Sequence, residues 1–200
     1  INIATKPRWA LGMLGTKRRQ FGNIVGHVSG VENMGSLSEW TAKQFDPALN
    51  WGDVEWIKKR WGGKLILKGI MEAEDARLAV ESGADALIVS NHGGRQLDGA
   101  PSSIAALPAI VQAVGKDIEV WMDGGIRSGQ DVLKARALGA RGTLIGRSFL
   151  YGLGAYGELG VTRVLEIIRK ELDLTMAFCG RTDINTVDTS ILLPGTYPTP

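Results

Sequence analysis

From about Asn50 onward the chain alternates short apolar runs with stretches of helical period. KLILKG (Lys64 to Gly69), ADALIVSN (Ala84 to Asn91), DIEVWMDGG (Asp117 to Gly125) and RGTLIGR (Arg141 to Arg147) are the four runs. Each is nearly continuous in apolar residues and bounded by glycine, the pattern of strands buried on both faces of a parallel sheet. Between them, EAEDARLAVESG, SSIAALPAIVQAVG and SGQDVLKARALGA repeat apolar positions at helical spacing, such as Ala76, Ala79 and Val80, or Val132, Leu133, Ala135 and Leu138. Glycine closes each of these stretches, as it commonly closes helices. A further helix is predicted over roughly Gly160 to Phe178, with Val161, Val164, Leu165, Ile168, Leu172 and Met176 on one face. An earlier one runs from about Trp51 to Arg60, where Asn50 is placed to cap it and Asp53 lies in its first turn.

Strand and helix therefore alternate with short links, which implies βαβ crossovers and a parallel sheet. Four such units suit either an open doubly wound sheet or part of an eight-unit barrel. The residues that follow the strands favour the barrel. Lys68, then His92 and Arg95, then Asp123 and Arg127, then Gly146 and Arg147 end the four runs in turn, and a barrel brings all strand ends to one mouth. The expected fold is α/β, half of a TIM-type (β/α)8 barrel over residues 51–185.

Residues 1–50 break the pattern. They combine Lys6, Arg8, Lys17, Arg18 and Arg19 with Trp9, Leu11, Met13 and Leu14 and have no acidic residue before Glu32. A long irregular loop is expected there. A membrane-surface or partner contact through residues 6–19 is the competing reading. The tail, residues 186–200, holds Pro194, Pro198 and Pro200 and is expected to cross a neighbour or to be loosely held.

Composition narrows the function classes. With 44% hydrophobic and 22% charged residues the chain can build a core, so disorder is set aside. A net charge of +2 is too small to argue for nucleic acid. The single Cys179 excludes an intrachain disulfide and fits a reducing, cytoplasmic setting; it lies near the end of an apolar helical period and is expected to pack. Neither a GxSxG elbow nor a metal-ligand spacing is present, and no Rossmann fingerprint follows a strand. No run approaches the apolar length of a membrane span.

The candidate chemistry sits after the strands. In DGGIRSG, Gly124 and Gly125 leave backbone N–H groups open to an oxyanion, while Arg127 adds charge where the next helix begins. Gly146 and Arg147 repeat that arrangement one unit later. Two such loops in adjacent units match the phosphate site of barrels, where helix N-termini add partial positive charge. Lys68, at the end of a buried strand, calls for an anionic partner. In LIVSNHGGRQLDG, His92 is either a polar turn residue or a base, and Arg95, three residues on, can clamp a carboxylate through two parallel bonds. His27, within VGHVSG, is expected to have no role.

Ser90-Asn91-His92-Gly93-Gly94-Arg95-Gln96, continuing through Leu97 and Asp98, resembles the active-site signature of the FMN-dependent α-hydroxy-acid oxidizing enzymes. DGGIR, ALGA and LIGR follow in the family's order and spacing, and the resemblance runs from about Arg8 to about Asp183. FDPALNW and DVEWI look closest to the bacterial L-lactate dehydrogenase branch. The resemblance implies strands 5–8 of the barrel, with FMN at its mouth and a small 2-hydroxy acid as substrate. His92 would then be the base, Arg95 the carboxylate clamp and Lys68 the charge beside the flavin. Ser90, Asp123, Gly124, Gly125, Arg127, Gly146 and Arg147 would bind the cofactor. A homo-oligomer, a tetramer as in the family, and a cytoplasmic enzyme peripheral to the inner membrane are further expectations. The family barrel has eight strands and these residues supply four, so the resemblance also implies a partner, the N-terminal half of the barrel, as a separate chain or absent. A flavin-dependent isomerase on a similar barrel and a non-catalytic half-barrel are the competing functions.

Overall fold

The computed structural model describes residues 5–16, 21–31, 34–44 and 46–198. The chain divides into two compact units, residues 1–49 and residues 50–200, each described by itself. In the larger unit, Asn50 and Asp53 start helix α3 (Trp51–Trp61) as a reciprocal pair. The Asn50 side chain accepts from the helix backbone while Asp53 accepts from the Asn50 N–H at 2.9 Å. Four strands follow, β1 (Ile66–Ile70), β2 (Ala86–Val89), β3 (Glu119–Asp123) and β4 (Thr143–Leu144). They alternate with helices α4 (Ala73–Glu81), α5 (Ser103–Val114) and α6 (Gly129–Ala137).

All strand pairs are parallel, in the order β1-β2-β3-β4. That order separates the two architectures. A doubly wound sheet reverses its strand order at a switch point, whereas a barrel adds strands consecutively. The unit is thus a parallel α/β sheet with the arrangement of a partial barrel, and every strand's C-terminal end lies on one edge.

Burial is deeper on one face than on the other. Leu87, Val89, Val120 and Met122 point into a core completed by Ala76 and Ala79 of α4 and Leu107, Ile110 and Val114 of α5. Leu87, Leu107 and Ile110 are fully enclosed, and each contributes roughly 1.5–3 kcal/mol. The opposite face carries Ile66, then Lys68, Ile88 and Trp121 side by side in register. Ile66 is 54% exposed, which corrects the expectation of burial on both faces for β1, whereas β2 meets it, with Ala86 buried on this face and Leu87 and Val89 on the other. Four strands are too few to curl the sheet into a barrel filled by its own side chains, which takes about eight.

The stretch RSFLYGLGAY, unassigned from sequence, forms helix α7 (Arg147–Tyr156), which is followed by α8 (Glu158–Phe178). The two helices cross at Gly152 and Gly160, where a Cβ on either residue would overlap the other's carbonyl. These glycines allow close helix contact where a sequence reader sees breakers. Cys179, expected to pack, is exposed. Helix α8 ends at Phe178, and its C-cap residue Cys179 turns out of the Leu172/Met176 stripe. The tail is not loose either. Val187 packs with Leu133 and Ala137 of α6, and Arg136 Nε donates to the Ile184 carbonyl at 3.2 Å. Apolar burial at Val187 therefore docks the tail on α6 of its own chain.

The smaller unit holds two helices where an irregular loop is expected, α1 (Pro7–Gly15) and α2 (Met34–Lys43). Pro7 at the first turn presets the helical φ and loses no hydrogen bond there. Helix α1 buries none of its residues; Trp9, Leu11 and Leu14 are exposed. Lys17, Arg18, Arg19 and Pro200 lie outside the described residues.

Candidate active site

A cavity of about 450 Å³ opens at the C-terminal edge of the sheet. Lys68, His92, Arg95, Asp123, Gly124, Gly125, Arg127, Gly146 and Arg147 all line it. Ser90, the remaining candidate, lies fully buried behind them. Four cations, Lys68, Arg95, Arg127 and Arg147, thus surround a single carboxylate, Asp123. The mouth suits an anion.

Three adjacent strand ends tie the floor together. Lys68 Nζ on β1 lies 2.7 Å from Asp123 Oδ2 at the end of β3, and it donates to Ser90 Oγ, after β2, at 2.9 Å. The Ser90 hydroxyl in turn donates to Asp123 Oδ2 at 3.0 Å and accepts from the His92 N–H at 3.1 Å. Burial pushes the Asp123 carboxyl up. The bonds from Lys68 and Ser90, together with the Lys68 charge, outweigh it and hold Asp123 below the usual carboxylate range. Ser90 is saturated by this network, so it orients its neighbours from beneath the surface.

His92 opens a 3-10 turn (His92–Gly94) and has φ +56, the one positive φ outside glycine among the described residues. That conformation is disfavoured for a residue with a Cβ, and such strain is found where a site over-determines it. Asn91 clamps the turn. Its Oδ1 accepts from the Gly93 N–H at 3.1 Å and its Nδ2 donates to the Pro101 carbonyl at 3.1 Å. Arg147 closes the other side by donating to the Gly93 carbonyl. Among the described residues the Arg95 and Arg127 guanidiniums have no ion pair or hydrogen bond, which leaves both available to a ligand.

The two glycine-arginine loops differ. At the start of α6, Ser128 and Asp131 form a capping box, and the Gly129 N–H is taken by Glu171 Oε2 at 2.9 Å. Helix α6 is therefore capped by protein. At α7, the N-cap is Gly146 and no side chain caps it, and the positions a Cβ would take at Gly125 and Gly146 border open space. Sequence reasoning missed three residues here: Gly69, Asn91 and Glu171. Glycine inside a strand and asparagine before paired glycines are readable signals; Glu171 has none, since its partner is forty-two residues away.

Comparison with known proteins identifies the lineage. The family model described as "FMN-dependent dehydrogenase" matches residues 1–194. The chain belongs to the FMN-dependent dehydrogenase family. An L-lactate dehydrogenase of Pseudomonas syringae pv. syringae (strain B728a) is 49% identical over 195 residues, covering 96% of this chain and 51% of that protein. One from Caulobacter vibrioides is 46% identical, with 96% and 50% covered. Among solved structures, the monotopic membrane protein (S)-mandelate dehydrogenase superposes with a TM-score of 0.86 at 38% identity, over 94% of this chain and 50% of that one. A mandelate oxidase matches with a TM-score of 0.72 at 45% identity, over 78% and 45%. The chain spans about half the length of the curated relatives it matches.

The residues present fit the cofactor of an FMN-dependent dehydrogenase. Open backbone at Gly125 and Gly146 and an uncapped helix end at α7 supply room and polarity for a phosphate, and the Arg127 guanidinium lies at the same cavity with no partner among the described residues.

Proposed function

We propose that this chain is the C-terminal half of the barrel, strands 5–8 over residues 51–185, and that it carries the base, the carboxylate clamp and the phosphate seat of an enzyme oxidizing a small L-2-hydroxy acid to the 2-oxo acid. Gly125, Arg127, Gly146 and Arg147 hold the FMN phosphate at the α7 N-terminus, with Gly124 shaping the same loop. Held there, FMN would supply the two-electron acceptor that the oxidation of the substrate's carbinol carbon needs. Arg95 grips the substrate carboxylate, and the lack of a hydrogen-bond or ion-pair partner for its guanidinium among the described residues keeps it ready to do so. His92 Nε2 takes the proton that substrate oxidation releases. Lys68, fixed by Ser90 and Asp123, adds positive charge at the mouth.

The observation that carries this reading is the pairing, on one short loop, of a histidine held at positive φ with an unpartnered arginine above a cationic cavity. An isomerase acting on the same scaffold has no use for that pair. The test is anaerobic mixing of the protein, complete with its first barrel half, with L-lactate. Loss of the flavin's visible absorbance supports the reading, and an unbleached spectrum with every small L-2-hydroxy acid refutes it.

A second inference concerns the surface of residues 6–19. No helix of the described residues is long and apolar enough to cross a membrane. Helix α1 nevertheless exposes Trp9 (49%), Leu11 (68%) and Leu14 (72%) beside Arg8, a composition that lies on an anionic lipid surface. Co-sedimentation with anionic vesicles that a Leu11→Ser/Leu14→Ser variant loses is the expected result; equal sedimentation of both proteins refutes the contact. A homo-oligomer forms part of the same family-based proposal.

A further inference from the structure

Strand β1 is interrupted one residue after Lys68. Lys68 pairs with Ile88 and Ile70 with Val89, so Gly69 between them has no partner in β2. Its φ is +107, a bulge conformation open to glycine alone. A Cβ built on Gly69 would lie 2.8 Å from His92 Nε2 and 3.2 Å from Cε1, with the His92 imidazole supplying every neighbour within 4 Å. The face of the bulge and the proposed base are in direct contact. His92 in turn is the non-glycine residue held at positive φ, so its backbone is fixed by the Asn91 clamp and the Ser90 bond while its ring rests on Gly69.

We infer that Gly69 is a positioning residue for the reaction: the missing side chain at the β1 bulge is the seat that sets where His92 Nε2 stands. The inference rests on the reading of His92 as the base. Two features converge on it independently, the register break that leaves Gly69 facing the His92 ring and the positive-φ turn that holds His92 there. A methyl at 69 falls roughly 0.6 Å short of an ordinary van der Waals contact with the ring nitrogen. The imidazole must then retreat or rotate, because its own backbone is pinned. The φ of +107 adds backbone strain at 69, which the double variant with His92→Ala separates from the ring contact. A displacement on the order of 1 Å at a reacting group costs about 10²-fold in rate. Arg95 lies beyond the turn, outside the neighbours of position 69, so carboxylate binding is left in place.

The experiment compares Gly69→Ala, His92→Ala and the double variant in the complete FMN-loaded protein, reading FMN per chain, kcat per bound FMN and KM for L-lactate. Gly69→Ala is expected to keep stoichiometric FMN and a KM within about threefold while kcat per FMN falls about 10²-fold. An unchanged kcat per FMN overturns the inference, as does a loss that only follows loss of FMN. If Gly69→Ala yields no soluble holoprotein, the double variant decides: removing the ring restores FMN-loaded protein when the ring contact is the obstacle, and continued failure assigns the defect to the backbone and overturns the positioning role. Near-normal turnover by His92→Ala alone instead refutes the base assignment, so the two ideas fail separately.

Discussion

Replacing Arg127 with Ala isolates the charge that the phosphate seat contributes. Among the described residues the Arg127 guanidinium makes no hydrogen bond or ion pair, so its removal leaves no buried group unpaired and should not disturb the fold; its backbone N–H still reaches Asp131 Oδ2 at 3.0 Å. A charge-assisted hydrogen bond contributes about 1.5–3 kcal/mol, which is roughly 10- to 150-fold in Kd. Because Arg127 is exposed, water screens it and the lower end, about 10-fold, applies. Arg147 differs, since it also donates to the Gly93 carbonyl. Arg147→Ala loses a second phosphate contact, about 10- to 150-fold by the same measure, and also frees the turn that carries His92. The double variant should then lose about 10²- to 10³-fold and shed FMN on gel filtration. The assay is quenching of flavin fluorescence by apoprotein, run in parallel with FMN and with riboflavin, which lacks the phosphate. Arg127→Ala should weaken FMN and leave riboflavin unchanged; equal weakening of both ligands refutes the assignment.

Other outcomes follow from the same geometry. His92→Gln should retain bound flavin and lose turnover with L-lactate by several orders of magnitude, and a near-normal steady-state rate would exclude His92 as the base. Asp123 has a folded-state pKa below its ordinary 3.8. The unfolded chain therefore binds the proton first, and the stability Asp123 adds is present above about pH 4 and lost as pH falls through the lower folded value. Asp123→Asn should flatten that acid limb in denaturant titrations at stepped pH; an unchanged slope refutes the linkage. Gly160→Ala forces α7 and α8 apart and should lower stability by about 1–3 kcal/mol, read as a drop in the melting temperature of the holoprotein, and an unchanged midpoint would mean the helices separate freely.

The strands were legible because the chain writes them as apolar runs ended by glycine, and their chemistry because each run stops at a charged or imidazole side chain. Helix α7 was hidden by Gly152 and Gly154, since local reading takes glycine as a breaker and cannot see the partner that requires it at a crossing. The helices of residues 1–49 were obscured by the glycines within them, Gly12 and Gly15 in α1 and Gly35 in α2. The ten candidate residues converge on one edge of the sheet, but the division of labour among them was not readable. Ser90 works from below, Lys68 and Asp123 pair across an intervening strand, and α6 is closed by a residue from α8. Each depends on contacts between distant positions, which periodicity does not encode.

The bond from Glu171 to the Gly129 N–H has a consequence for selectivity among anions. Two neighbouring helices begin at the same mouth, and either could attract a negative group. By occupying the α6 end with a carboxylate from α8, the fold closes one of these two ends, which leaves α7 as the open one of the pair for the proposed phosphate. Glu171 thus links the outer helix α8 to the α6 end beside the mouth, and charge reversal at 171 is expected to release the Gly129 N–H to compete for an anion.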